Sequence, residues 1–129
     1  MKFHHIGIAV NCIEITKKYY EDIGYHSSSI IFDNKQHVNL CFLDKKNSPT
    51  IELVAPIDEK SPVVNILKKN GVTPYHTCYE VDNIELEIKK LKEKGYIMIS
   101  KPKPAIAFNN RFICFLYNKN IGLIELLNK

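Results

Sequence analysis

Apolar and polar residues alternate with a period of two over residues 3–10, where His5, Gly7 and Ala9 form one set and Ile6, Ile8 and Val10 the other. Strand side chains alternate between faces, so this stretch predicts a strand whose Ile/Val face packs on a helix. Residues 74–81 repeat the pattern: His76 and Cys78 share one face, and Thr77, Tyr79 and Val81 the other. After each strand the period changes. Ile84, Ile88 and Leu91 recur at i, i+4 and i+7, the spacing of one apolar helix face. Asn11 and Asp82 are placed to cap the helices at their starts, and Gly24 and Gly95 to stop them. Three strands are predicted after each helix, at 25–32, 37–43 and 50–55, and then at 96–100, 110–117 and 121–127. Between the two series, Ser61-Pro62 before Val63-Val64-Asn65-Ile66-Leu67 predicts a short helix.

The two series are an internal repeat. At an offset of 71, His5 falls on His76, Val10 on Val81, Ile13 on Ile84, Lys18 on Lys89, Gly24 on Gly95 and Tyr25 on Tyr96. At an offset of 73, Cys41-Phe42-Leu43 falls on Cys114-Phe115-Leu116, and Ile51-Glu52-Leu53 on Ile124-Glu125-Leu126. One short insertion accounts for the change of offset. The predicted class is α+β: two βαβββ modules, 1–57 and 73–129, joined by a linker at 58–72. Each module is small for an independent core, so the modules must pair, within this chain or with a second one; the expected assembly is a homodimer.

Composition removes several function classes. The chain has 129 residues, 45% hydrophobic and 25% charged, as in an ordinary globular domain. No apolar run approaches the ~20 residues of a membrane span, and no leader pattern opens the chain, so a cytoplasmic protein without a membrane partner is expected. The net charge is +4, but Arg111 is the only arginine among 18 basic residues. The lysines read as solvated helix faces, and no nucleic-acid partner is expected. Cys12, Cys41, Cys78 and Cys114 form no C-x-x-C pair and read as reduced thiols.

The repeat changes the reading of four polar residues. His5 and His76 occupy equivalent strand positions, and Glu52 and Glu125 point away from flanking Ile and Leu. Two imidazoles and two carboxylates form a donor set for zinc, nickel, cobalt, manganese or ferrous iron. Such an ion can polarise a carbonyl and stabilise an enolate. His37, Asn39 and Cys41 alternate with Val38, Leu40 and Phe42; if the apolar set faces the helices, His37 and Asn39 line the cavity and are candidate substrate contacts. Arg111 is a further candidate, for a substrate anion. His4 reads as structural and His26 as a surface residue. A phosphate loop, a nucleophile elbow and a Cys/His nucleophile spacing are all absent.

The residues His4-His5-Ile6-Gly7-Ile8-Ala9-Val10, Tyr19-Tyr20 before Ile23-Gly24-Tyr25, Ile51-Glu52-Leu53-Val54-Ala55-Pro56, Glu80-Val81-Asp82-Asn83-Ile84 after His76, and Gly122-Leu123-Ile124-Glu125-Leu126 resemble the vicinal oxygen chelate superfamily over essentially the whole chain. Within it they are most similar to the methylmalonyl-CoA epimerase branch, with glyoxalase I (lactoylglutathione lyase) as neighbour. The resemblance implies a single domain over 1–129, two paired βαβββ modules forming a cupped mixed β-sheet cleft with helices outside, with His5, Glu52, His76 and Glu125 as metal ligands. It also implies an isomerase or lyase that moves a proton next to a carbonyl, with Glu52 or Glu125 as base and an acyl thioester or keto compound as substrate. The chain departs from the epimerases in its bulky, glycine-free 104–111 segment and in lacking an extra glutamate near Leu40; it departs from bacterial glyoxalases at Asn118-Lys119-Asn120-Ile121-Gly122. The alternatives are a metal-free small-molecule-binding or antibiotic-sequestering protein and an extradiol-type dioxygenase. Glu52 and Glu125 argue against the first, and a fourth protein ligand against the second.

Overall fold

The computed structural model describes residues 1–129. Its elements run β1 (Lys2–Ala9), α1 (Ile13–Asp22), β2 (His26–Ser27), β3 (Ile31–Asp33), β4 (Val38–Asp44), β5 (Thr50–Pro56) and α2 (Val63–Asn70). They continue with β6 (Thr73–Val81), α3 (Ile84–Glu93), β7 (Ile97–Met98), β8 (Lys103–Ala105), a 3-10 turn (Ile106–Phe108), β9 (Arg111–Asn118) and β10 (Gly122–Asn128). No helix is long and apolar enough to cross a membrane. The class is the expected α+β, with mixed parallel and antiparallel strand pairing. The chain divides into two compact units, His5–Tyr75, and Met1–His4 with His76–Lys129.

In the first unit β1 pairs parallel with β5, and β4 pairs antiparallel with β5. Ile8, Val10, Ile13, Cys41, Leu43, Ile51, Leu53 and Ala55 are buried together, so one face of these strands packs on the start of α1. The second unit repeats this construction. There β6 pairs parallel with β10, β9 pairs antiparallel with β10, and Val81, Ile84, Ile88, Leu91, Cys114, Leu116, Ile124 and Leu126 form the core under α3.

Both helices end alike. Gly24 has φ +99° and Gly95 φ +88°. The N–H groups of Gly24 and Tyr25 donate to the carbonyls of Glu21 and Tyr20, and those of Gly95 and Tyr96 to the carbonyls of Lys92 and Leu91. This is the Schellman pattern, which needs a residue at positive φ just past the helix.

Three local features differ from expectation. The helix caps stand one residue later, at Cys12 and Asn83; Asn83 Oδ1 accepts the Leu86 N–H at 3.0 Å, whereas Asp82 pairs with Lys129 at 2.7 Å. The second strand of each module is broken, giving ten strands where the sequence pattern predicts eight. At the first break the Ser28 hydroxyl accepts the Phe42 N–H at 2.9 Å, standing where a strand carbonyl would be. At the second, Pro102 has no N–H to give a ladder. Finally, the face assignment on β4 is inverted. Cys41 lies in the helix-side core, and Asn39 is in register with Ala55 of that same core. Val38, Leu40 and Phe42 share the face of Glu52, since Phe42 is paired with Glu52 itself. Both faces of β4 are buried, so polarity could not assign them.

Candidate functional site

Each unit presents one buried histidine beside one buried glutamate. In the first, β1 carries His5 with Gly7 and Ala9 on one face, and β5 carries Glu52 in register with Gly7. His5 is fully buried and Glu52 is 4% exposed. Their side chains approach to 3.7 Å between Nε2 and Oε1. The Phe42 ring stands edge-on to the His5 imidazole, with centroids 5.8 Å apart.

The second unit builds the same group with the same register. Glu125 of β10 lies beside Cys78 of β6, the repeat equivalent of Gly7, and Phe115 of β9 lies beside Glu125. His76 Nε2 is 3.2 Å from Glu125 Oε2, and both residues are buried. Phe115 stands edge-on to His76 at 5.4 Å. Edge-to-face rings constrain one another's orientation, so Phe42 and Phe115 position the imidazoles. Neither phenylalanine stands out in the sequence, although the offset of 73 superposes them; an aromatic on a strand reads as core.

Buried carboxylates are costly unless their charge is compensated. A divalent cation would compensate them, and imidazole nitrogen with carboxylate oxygen is the donor chemistry of the borderline first-row metals. The residues of each unit therefore fit a metal ligand pair.

The other candidates lie apart from these pairs. His37, in a turn at φ +56°, pairs with Asp58 at 3.1 Å, and its side chain is 37% exposed. The backbone N–H of Lys60, and then the His37 imidazole, hold the Asp58 carboxyl below its ordinary value. Asn39 is on the helix side of β4, and its Oδ1 is buried without a hydrogen-bond partner. Arg111 is on the same face of β9 as Phe115; its guanidinium donates to Glu80 at 2.8 Å and lowers the Glu80 pKa. His4 packs edge-on against Phe108 at 5.6 Å.

Comparison with known proteins bears on what such a site does. The family model of the glyoxalase/bleomycin resistance protein/dioxygenase superfamily matches residues 4–115. The chain belongs to this superfamily. Among its relatives are the mitochondrial methylmalonyl-CoA epimerase of Dictyostelium discoideum, 31% identical over 99% of this chain and 78% of the relative, and the ethylmalonyl-CoA/methylmalonyl-CoA epimerase of Cereibacter sphaeroides, 30% identical over 97% and 96%. The solved methylmalonyl-CoA epimerase of Mycobacterium tuberculosis superposes with a TM-score of 0.87 at 25% identity, covering 98% of this chain and 87% of that one. Epimerising a 2-methylmalonyl thioester inverts the carbon next to its carbonyl, which is α-proton chemistry through an enolate. The relatives and the solved structure named here are all epimerases.

Proposed function

We propose that the protein is a metal-dependent epimerase of a branched carboxyacyl-coenzyme A thioester of the methylmalonyl-CoA class, with His5, Glu52, His76 and Glu125 as ligands of one divalent ion. The observation that carries this reading is the buried His–Glu pair that both modules build with one register. A single pair supplies two donors; the two pairs together supply four, which leaves two positions of an octahedral ion for substrate oxygens. The ion would supply Lewis-acid stabilisation of the charge that develops on the thioester oxygen.

The remaining chemistry belongs to the chain. Epimerisation removes the α-proton from one face of a carbon and returns a proton to the other, which calls for two acid–base groups. Glu52 and Glu125 supply that number, one per module, each buried beside an imidazole. Phe42 and Phe115 keep the imidazoles oriented. Arg111 lies four residues along β9 from Phe115, about 13 Å at the strand rise. It is therefore too far for the acyl group and suited to the anionic coenzyme arm.

The test is solvent exchange. In deuterated water, metal-loaded protein should wash deuterium into the α-position of methylmalonyl-CoA and interconvert its epimers, as read by NMR. Absence of exchange with every divalent metal of the set, for both methylmalonyl and ethylmalonyl thioesters, would overturn the reading.

A further inference from the structure

The two modules differ at a position beside the His–Glu pairs. Where the first has Gly7 beside Glu52, the second has Cys78 beside Glu125. Cys78 is fully buried, so its thiol is an addition to the repeated plan and is not a surface substitution. A ring nitrogen of His4 lies within 4.8 Å of its sulfur. Phe108, 7% exposed, holds the His4 ring from its edge at 5.6 Å.

We propose that Cys78 and His4 form a binding position for a thiophilic metal ion, Cd²⁺ or Cu⁺ in character, that uses neither glutamate. Metal–sulfur bonds of about 2.3 Å and metal–nitrogen bonds of about 2.0 Å let one ion join donors up to about 4.3 Å apart. The His4–Cys78 pair comes within reach with a small turn of the imidazole. A sulfur and nitrogen pair selects soft ions over magnesium or manganese, which prefer oxygen. On binding, the S–H bond breaks, its proton passes to solvent, a metal–sulfur bond forms, and the imidazole donates a lone pair; no electron is transferred. Because Cys78 is in register with Glu125 one strand away, a soft ion held here crowds that carboxylate. The chain is thereby sensitive to thiophilic metals in a way that a module with glycine at this position is not.

The test uses the full-length chain as C12S, which removes the half-exposed Cys12 thiol. Titration with Cd²⁺ should produce the ultraviolet thiolate-to-cadmium absorption at one equivalent. C12S/C78S should lose it while keeping the circular dichroism spectrum and melting temperature of C12S, which report that the fold is intact. H4Q in the C12S background should keep the absorption but weaken Cd²⁺ at least about tenfold. No absorption in C12S, its persistence in C12S/C78S, or unchanged affinity in H4Q would each overturn the proposal. None of these readouts uses the epimerase reaction, so failure of that reading would appear separately, in the exchange experiment.

Discussion

At the scale of single residues, the two glutamates make separable predictions. E52Q and E125Q each replace a buried charged acceptor with a neutral one of the same shape. If the carboxylates serve opposite faces of the substrate carbon, each variant should retain α-proton exchange with one epimer of methylmalonyl-CoA and lose about 10²-fold or more with the other. Following deuterium washout from each pure epimer checks this; equal loss for both epimers in both variants would assign the glutamates a ligand role alone. A second prediction concerns acid. Arg111 holds Glu80 below its ordinary value of 4.5, so the pair's contribution is present above that pH and is lost as the pH falls through the depressed value. R111Q should therefore lower stability near neutrality and converge with the parent protein as the pH falls below about 4.5, as followed by denaturant midpoints. Thiol chemistry differs by site as well: burial pushes Cys114 up to about 11, so it should resist alkylation in the native state while Cys12 reacts.

At the scale of elements, what could be read from the pattern depended on whether the two faces carried residues of different size and chemistry. β1 and β6 place glycine, alanine, cysteine or histidine against Ile, Val or Tyr, and their faces were legible, as were His5, His76, Glu52 and Glu125 as matched positions. β4 is buried on both faces, so Asn39 looked like a cavity residue and lies on the helix side. The helix starts were displaced by one residue because Asp82 and Asn83 are both good caps, and Lys129, 47 positions away in the chain, draws Asp82 to itself. A partner that distant leaves no local signal. The helix ends were legible because glycine at positive φ is a local requirement. Gly24→Ala and Gly95→Ala should each destabilise by about 1–2 kcal/mol, measured by chemical denaturation. The penalty should be larger at Gly24, where an added Cβ would meet Lys45 Cε at 3.3 Å; the space at Gly95 is open.

At the scale of the whole molecule, stability should be linked to metal. If the native state alone assembles the four donors, an ion at 100 times its dissociation constant adds about 2.7 kcal/mol, on the order of 10 °C in melting temperature for a chain of this size. Chelation should remove that increment, and H5Q/H76Q should not show it. A melting temperature indifferent to metal, at concentrations that saturate binding, would mean that the ligands bind without native order. The two helix-side cores supply the rest of the stability. Leu53 and Leu126 are fully buried at repeat-equivalent positions, and either one replaced by Ala should cost about 2–5 kcal/mol.

The breaks in the second strand of each module also bear on how the protein stays apart from its neighbours in a crowded solution. β2 ends the strand order of the first unit and β7 that of the second, and each is only two residues long. A long flat border would offer a row of unpaired N–H and C=O groups to another chain, the usual template for aggregation. Here the first border stops where the Ser28 hydroxyl takes the Phe42 N–H, and the second runs into Lys101-Pro102-Lys103-Pro104, charged and poor in donors. The irregularity that obscured the strand count in the sequence is thus a guard against runaway strand addition.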